Sequence, residues 1–264
     1  MRVTILGCGA SSGTPAVDRG WGKCDPDNPR NRRLRPSILV EDATTRILVD
    51  TTPDLRQQLL GVGVNRLDAV VYTHAHADHL HGIDDLRAIN RTIEAPLDIH
   101  ANAETLDVIG QRFGYVFEPL AEDAKYYYKP TLIAHRVDDG DTFEVGRIAI
   151  TAFEQDHGYG MSLGFRFGPI AYATDMVELP DSAFTILEGV EVWIAGVLGE
   201  RPHPTHAHLD KVLDWAGRIK AKRTILTHMD VVLDYAELGR KLPAGVEVAY
   251  DGMVIETEGE EGPD

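Results

Sequence analysis

The sequence predicts an α/β fold in which two β-sheets pack face to face with helices outside, four layers in all. Three observations predict it. Short apolar runs of β type open the chain and return after residue 125, with strand and helix patterns alternating in between. Several of these runs stop at a metal-ligand residue type, which is how a sandwich builds a site along one rim. The 264 residues, 43% hydrophobic and 26% charged, can also bury a full core.

Residues 3–6, 37–41 and 46–50 read as strands separated by turn-rich sequence. Between the first two lies a long loop holding Gly7-Cys8-Gly9-Ala10-Ser11-Ser12-Gly13-Thr14-Pro15 and Asp25-Pro26-Asp27-Asn28-Pro29. A loop of that length in a compact domain is usually functional. Residues 54–60 read as a short helix, 67–72 as a buried strand, and 79–91 as a helix with Leu80, Ile83, Leu86 and Ile89 at helical spacing. Residues 97–100 and 103–113 repeat the alternation. Strands are predicted over 125–137, 141–152 and 162–172, the last two joined across a loop carrying His157. A buried strand over 191–195, a helix over 210–220, a strand over 224–226 and a hairpin over 246–255 complete the pattern. Residues 1–255 are expected to form a single domain, and the acidic tail 256–264 to fray.

Net charge is −16, from 42 acidic and 26 basic residues. Binding to nucleic acid needs a basic footprint, so a long nucleic-acid substrate is disfavoured while a small anionic one is not. The one locally basic stretch, Arg30-Asn31-Arg32-Arg33-Leu34-Arg35, reads as a solvated loop or as an arginine hook for a substrate phosphate. No stretch approaches the roughly 20 apolar residues of a membrane span. Cys8 ends a run that faintly resembles a lipoprotein cleavage box, but it lies too near the start for a signal peptide. With Cys24 the only other cysteine, nothing points to an oxidising compartment, and a cytoplasmic location is expected. The reading allows a homodimer.

The segment Thr73-His74-Ala75-His76-Ala77-Asp78-His79 sets three imidazoles and a carboxylate directly after an apolar strand. Such a donor set suits zinc, manganese or iron. His74 and His76, two apart, can reach one ion while Asp78 and His79 turn toward a second. Three further strands stop at Asp156-His157, Thr174-Asp175 and Thr227-His228, so His157, Asp175 and His228 join the candidate ligands.

In this order of residues the chain resembles the metallo-β-lactamase-fold hydrolases, an αββα sandwich of two mixed sheets. Within that superfamily it resembles the phosphodiesterase of the phosphonate pathway, which opens cyclic ribose phosphates. The carriers are residues 7–15, Leu226-Thr227-His228, Tyr250-Asp251-Gly252-Met253, and His206 with Leu209, Val212 and Leu213 following at set spacing. The resemblance implies two divalent ions per chain, manganese or zinc, with iron also compatible. His74, His76 and His157 would bind the first, Asp78, His79 and His228 the second, and Asp175 would bridge them. It implies in-line attack on phosphorus by a metal-bridging hydroxide. The two ions, less the charges of Asp78 and Asp175, leave room for that hydroxide and a phosphodiester monoanion, and a carboxylate substrate would balance equally well. The catalytic assignment falls on Asp78, among the ligands, and on His206 as proton donor to the leaving oxygen, with His208 a competitor. Asp50 would orient a ligand imidazole.

One departure stands out. The phosphonate-pathway enzymes hold a structural zinc with a cysteine cluster and a later histidine, where this chain keeps only Cys24. No such zinc is expected, which leaves prolines and arginines to order the loop. His81 and His203 read as surface or helix-face residues, His100 and His135 as structural. A thioesterase or lactonase of the same fold is the alternative, since it keeps the same ligands. A tRNA 3′-processing nuclease is disfavoured by the charge, and flavodiiron redox chemistry by His76, where those proteins place Glu. A binding module without catalysis is disfavoured because every expected ligand is present.

Overall fold

The computed structural model describes residues 1–257, and in it two seven-stranded sheets share a core. Strands β1 (Arg2–Gly7), β2 (Ser37–Glu41), β3 (Arg46–Val49), β4 (Ala69–Val71), β5 (Leu97–Ala101) and β6 (Leu132–Arg136) follow one another across the first sheet. The second takes β7 (Thr142–Val145), β8 (Ile148–Asp156), β9 (Met161–Phe167), β10 (Ile170–Ala173), β11 (Val192–Gly196), β12 (Arg223–Thr227) and β13 (Val246–Val248). The last strand, β14 (Val254–Glu256), returns to the first sheet and pairs antiparallel with β1. Both sheets are mixed: β3 to β6 and β10 to β13 run parallel, and the remaining pairs antiparallel.

Alternation along the strands makes the layers. Successive side chains point to opposite faces of a sheet. Ile38, Val40, Ile47, Val49, Ala69 and Val71 accordingly join the core shared with the second sheet, while Leu39, Leu48 and Val70 join a separate core beneath helices. That second core is closed by α1 (Leu55–Val62), α2 (Ala77–Leu80), α3 (Leu86–Ile93) and α4 (Ala103–Phe113) through Leu55, Leu59, Leu80, Leu86, Ile89 and Ile109. On the other side α5 (Asp181–Leu187), α6 (Leu209–Ile219) and α7 (Tyr235–Lys241) bury Ala183, Leu187, Val212, Trp215 and Leu238. Each fully buried Leu in these cores contributes roughly 1.5–3 kcal/mol. The α/β fold of four layers is the predicted one. No helix among the described residues is long and apolar enough to cross a membrane.

Several predicted elements change on folding. The helix expected over 79–91 divides into α2, a 3-10 turn at Ile83–Asp85 and α3. Its apolar spacing survives the break, because Leu80, Ile83, Leu86 and Ile89 are all buried. The break follows from Gly82, where a Cβ would stand 2.0 Å from the Thr52 carbonyl oxygen. The strand expected over 125–137 keeps only 132–136: Arg91 of α3 donates to Tyr127 O, and Lys129 to Glu118 O, so the segment before it is tied to α3 and to the loop after α4 instead. The strands expected over 141–152 and 162–172 each fold into a hairpin, turning at Gly146 and Gly168 in left-handed backbone. The closing hairpin over 246–255 does not form, since β13 adds to β12 in one sheet and β14 to β1 in the other. Helices α5 and α7, seven residues each, had no sequence prediction. The tail begins as strand, not frayed chain, because Glu256 pairs with Arg2 and Thr257 N–H donates to Met1 O at 3.0 Å. The rest of the expected tail lies outside the described residues.

Candidate metal centre

The candidate ligands stand where strands end. His74 and His76 follow β4, Asp78 and His79 lie on α2, His157 follows β8, Asp175 follows β10 and His228 follows β12. Loops at the carboxyl ends of parallel strands are where α/β sheets collect ligands. A direct bond between the sheets runs beneath the site, from Leu163 N–H to Thr73 O at 2.8 Å. Asp50, Asp175 and His228 hold left-handed backbone, with φ of 66°, 54° and 56°. For non-glycine residues that is strain, and three such residues at one rim mark the place where the fold subordinates local comfort to geometry.

All seven expected residues converge. The Nε2 of His74 lies 2.9 Å from His76 Nδ1, and His157 Nε2 lies 3.2 Å from the same nitrogen. Across the site His79 Nε2 stands 3.3 Å from Asp78 Oδ2 and 3.0 Å from Asp175 Oδ2, and His228 Nε2 stands 3.7 and 3.2 Å from them. Asp175 therefore faces both groups. The outer partners fix which nitrogen looks inward. His157 Nδ1 donates to the Thr205 carbonyl at 2.7 Å, an oxygen that can only accept, so Nε2 keeps its lone pair for the site. His79 Nδ1 likewise donates to Asp50 at 2.7 Å, and Asp50 is held in turn by Thr73 N–H and hydroxyl, each at 2.8 Å. Asp50 thus holds the His79 ring by its outer nitrogen.

The electrostatics ask for added positive charge. Burial pushes Asp175 up, but the imidazoles of His228 and His79 outweigh it and hold the carboxyl well below the usual carboxylate range. Asp78 is lowered in the same way, with His79 foremost against burial. Burial would keep His79 neutral, yet Asp175, Asp78 and Asp50 together push it well above the ordinary histidine value. His228 is raised against burial by Asp175 and Asp78. His74 and His157, by contrast, are lowered by burial and stay neutral.

These residues fit divalent ions. Metal–ligand bonds of about 2.0–2.2 Å in tetrahedral arrangement separate the ligand atoms by roughly 3.3–3.6 Å, close to the spacings above. Among the described residues, His79 Nε2 and His228 Nε2 lie near carboxylate oxygens but make no hydrogen bond, and His228 Nδ1 is unpaired as well. Buried polar atoms rarely go unpaired unless something else binds them. The sets His74, His76, His157 and Asp78, His79, His228 each bring three donor atoms within 4.8 Å of one another, as does His157, Asp175, His206.

His206 is brought to the site. Its Nε2 lies 2.9 Å from Asp175 Oδ1, and its Nδ1 lies 2.7 Å from the Thr205 hydroxyl. His208 instead stands at the N-cap position of α6 without a side-chain capping bond. His203, read from sequence as a surface residue, sits with its ring centroid 5.2 Å from that of His206. Beyond it opens a cavity of about 480 Å³ lined by Arg19, Lys23, Arg201, His203 and Asp230 among others. Asp230 takes the Arg19 guanidinium in two 2.9 Å bonds, while Lys23 and Arg201 make no ion pair among the described residues. Sequence reasoning missed these cations and Thr205, because nothing local ties them to ligands far away in the chain.

The arginine run is not simply a solvated loop, because it packs against the protein. Arg33 is 2% exposed and donates to Leu233 O at 2.7 Å and Asn31 Oδ1 at 3.2 Å. Arg30 lies over Tyr235 and Tyr250, Arg32 over Trp21, and Arg35 pairs with Asp54 at 2.9 Å. With Asn31 donating to Asp234 at 2.6 Å and the Cys24 thiol donating to Val231 O and Leu233 O, the run staples the long loop to the segment after His228. His100 and His135 stack on each other at 4.8 Å, and His81 lies against Phe113.

The beta-lactamase superfamily domain family matches residues 45–229. A diphosphatase from the PhnP family, of known structure, superposes with a TM-score of 0.88 at 36% identity, covering 97% of this chain and 98% of that one. An octanoyltransferase of Porphyromonas gingivalis is 33% identical over 259 residues, 96% of this chain and 51% of the relative. Ribonuclease Z of Bradyrhizobium sp. is 30% identical over 143 residues, 53% of this chain and 46% of the relative. The chain thus spans about half the length of the curated relatives it matches.

Proposed function

Because the chain belongs to the beta-lactamase superfamily, and within it to the PhnP family of the diphosphatase it matches end to end, we propose that it is a metal-dependent phosphodiesterase of small anionic diesters. The observation that carries this reading is the meeting of two donor triads on Asp175, with a further imidazole, His206, on its other carboxylate oxygen. Residues 1–255 would act as one metallo-hydrolase domain, working in the cytoplasm.

His74, His76 and His157 would hold one ion, Asp78, His79 and His228 a second, with Asp175 between them; zinc or manganese suits these donors, and iron is compatible. Bound there, such ions supply an acidified water and stabilise charge on phosphoryl oxygens. The chain's own residues do the rest. Asp50 and the Thr205 carbonyl hold His79 and His157 with the lone pair of Nε2 directed inward. Asp175 holds His206 at the site through its Nε2, and the imidazolium form of this ring would give a proton to a departing alkoxide that leaves poorly without one. Lys23 and Arg201, in the cavity past His203, attract an anion against the negative charge of the whole chain.

The test is a steady-state assay of metal-reconstituted protein against 2′,3′-cyclic nucleotides, an aryl phosphodiester, a thioester and a lactone. Turnover of diesters is expected. Hydrolysis of the thioester or lactone without diester turnover would overturn the assignment.

A further inference from the structure

A second cavity, of about 280 Å³, opens on the face made by His74, His76 and His157. Its other walls include Tyr159, Met161, Val108, Arg112 and Glu104. The Tyr159 side chain is 91% exposed although the backbone that carries it is fixed. His157 N–H donates to Gly160 O at 2.9 Å, Tyr159 N–H to His157 O at 3.1 Å, and Gly158 N–H to Asp156 Oδ1 at 2.6 Å. Gly158 holds φ 84°, and a Cβ there would stand 2.4 Å from Pro204 O. The turn is therefore seated against the same segment whose Thr205 carbonyl orients His157. One rigid turn presents both an inward imidazole and an outward aromatic ring.

A single exposed aromatic needs no explanation. Here the ring shares a cavity with exposed Met161, with Val108 and with the flat guanidinium of Arg112. That guanidinium donates to Ala75 O at 3.3 Å and has no ion pair among the described residues. An aromatic ring, a thioether and a guanidinium around one opening are the groups on which a flat heterocycle stacks. Glu104 adds an acceptor for a ring amine or a sugar hydroxyl.

We propose that this cavity is a subsite for the nucleobase of a nucleotide diester whose phosphate lies at the histidine and aspartate cluster, with Tyr159 as the stacking, specificity-determining residue. The inference rests on the phosphodiesterase reading above and narrows its substrate class. The base is held before and after the reaction, so the subsite also binds the nucleotide product.

The experiment compares wild type, Tyr159→Ala and Tyr159→Phe on 2′,3′-cyclic AMP and on glycerol 1,2-cyclic phosphate, which has no base. In parallel, AMP and ribose 5-phosphate are titrated calorimetrically into each protein. Wild type is expected to prefer the cyclic nucleotide. The Ala variant should lower the ratio of the two kcat/KM values and weaken AMP binding, each by about 5- to 100-fold, with ribose 5-phosphate binding unmoved and the Phe variant close to wild type. An unchanged ratio with unchanged AMP affinity would overturn the subsite while leaving the phosphodiesterase intact. If neither diester is hydrolysed the phosphodiesterase reading falls. The titration then still decides whether Tyr159 binds a base.

Discussion

Replacing Asp50 by Asn should weaken metal binding by changing which nitrogen of His79 carries a proton. The carboxylate is fully buried and accepts three hydrogen bonds, two from Thr73 and one from His79 Nδ1. In the variant one oxygen still accepts from Thr73 N–H, and the new amide NH₂ takes the place of the oxygen that faces the Thr73 hydroxyl and His79. The hydroxyl can reverse its role. The imidazole can do so only by moving its proton to Nε2, and that removes the lone pair directed at Asp78 and Asp175. Asn tolerates left-handed backbone, so the φ of 66° at this position adds no strain. Loss of such an orienting partner costs about 10- to 100-fold in metal affinity, roughly 1.4–2.7 kcal/mol. Competition with a chromogenic chelator measures it. Affinity at the group of Asp78, His79 and His228 should fall while that at His74, His76 and His157 holds. Unchanged affinity at both would refute the tautomer argument.

Three further outcomes are expected. His206→Ala should slow diesters with alkoxide leaving groups about 10²- to 10⁴-fold and activated aryl diesters far less, and equal losses would remove His206 as the acid. Stripping the protein with EDTA should leave the unpaired nitrogens of His79 and His228 without compensation. Zinc restored at about a hundredfold excess over Kd should then return roughly 2.7 kcal/mol, or about 5–10 °C in Tm, and identical melting with and without metal would contradict the site. Burial pushes the Asp251 carboxyl up to about 6, against bonds from Leu34 and Cys8 N–H. A raised folded value gives stability that is complete below the unfolded value of about 3.9 and lost as pH rises through about 6. The stability of wild type relative to Asp251→Asn should accordingly fall by at most about 3 kcal/mol between about pH 4 and about pH 7. Urea unfolding at a series of pH values checks this, and a flat difference would refute it.

The ligand types and their order were legible in the chain itself. Four of the seven expected ligands fall within six residues after one apolar strand, and each of the others closes a strand of its own, so local pattern was enough to find them. Alternation of apolar residues likewise dictated strands and layers. Pattern could not tell where a strand would find its partner. The expected final hairpin became edge strands of two different sheets because each met an open edge supplied by residues far away. Nor could it reveal that Gly82 must pass against Thr52 and so break a helix whose apolar spacing was intact. At the site, tertiary contact alone decides the tautomers, through Asp50 on His79 across 29 residues and Thr205 on His157 across 48. The same contacts turn three arginines of a basic run into packing against the protein and gather Lys23, Arg201 and Tyr159 around the centre. Residue type sets what a side chain can bind. Which atom it offers, and to what, depends on neighbours that only the folded chain brings near.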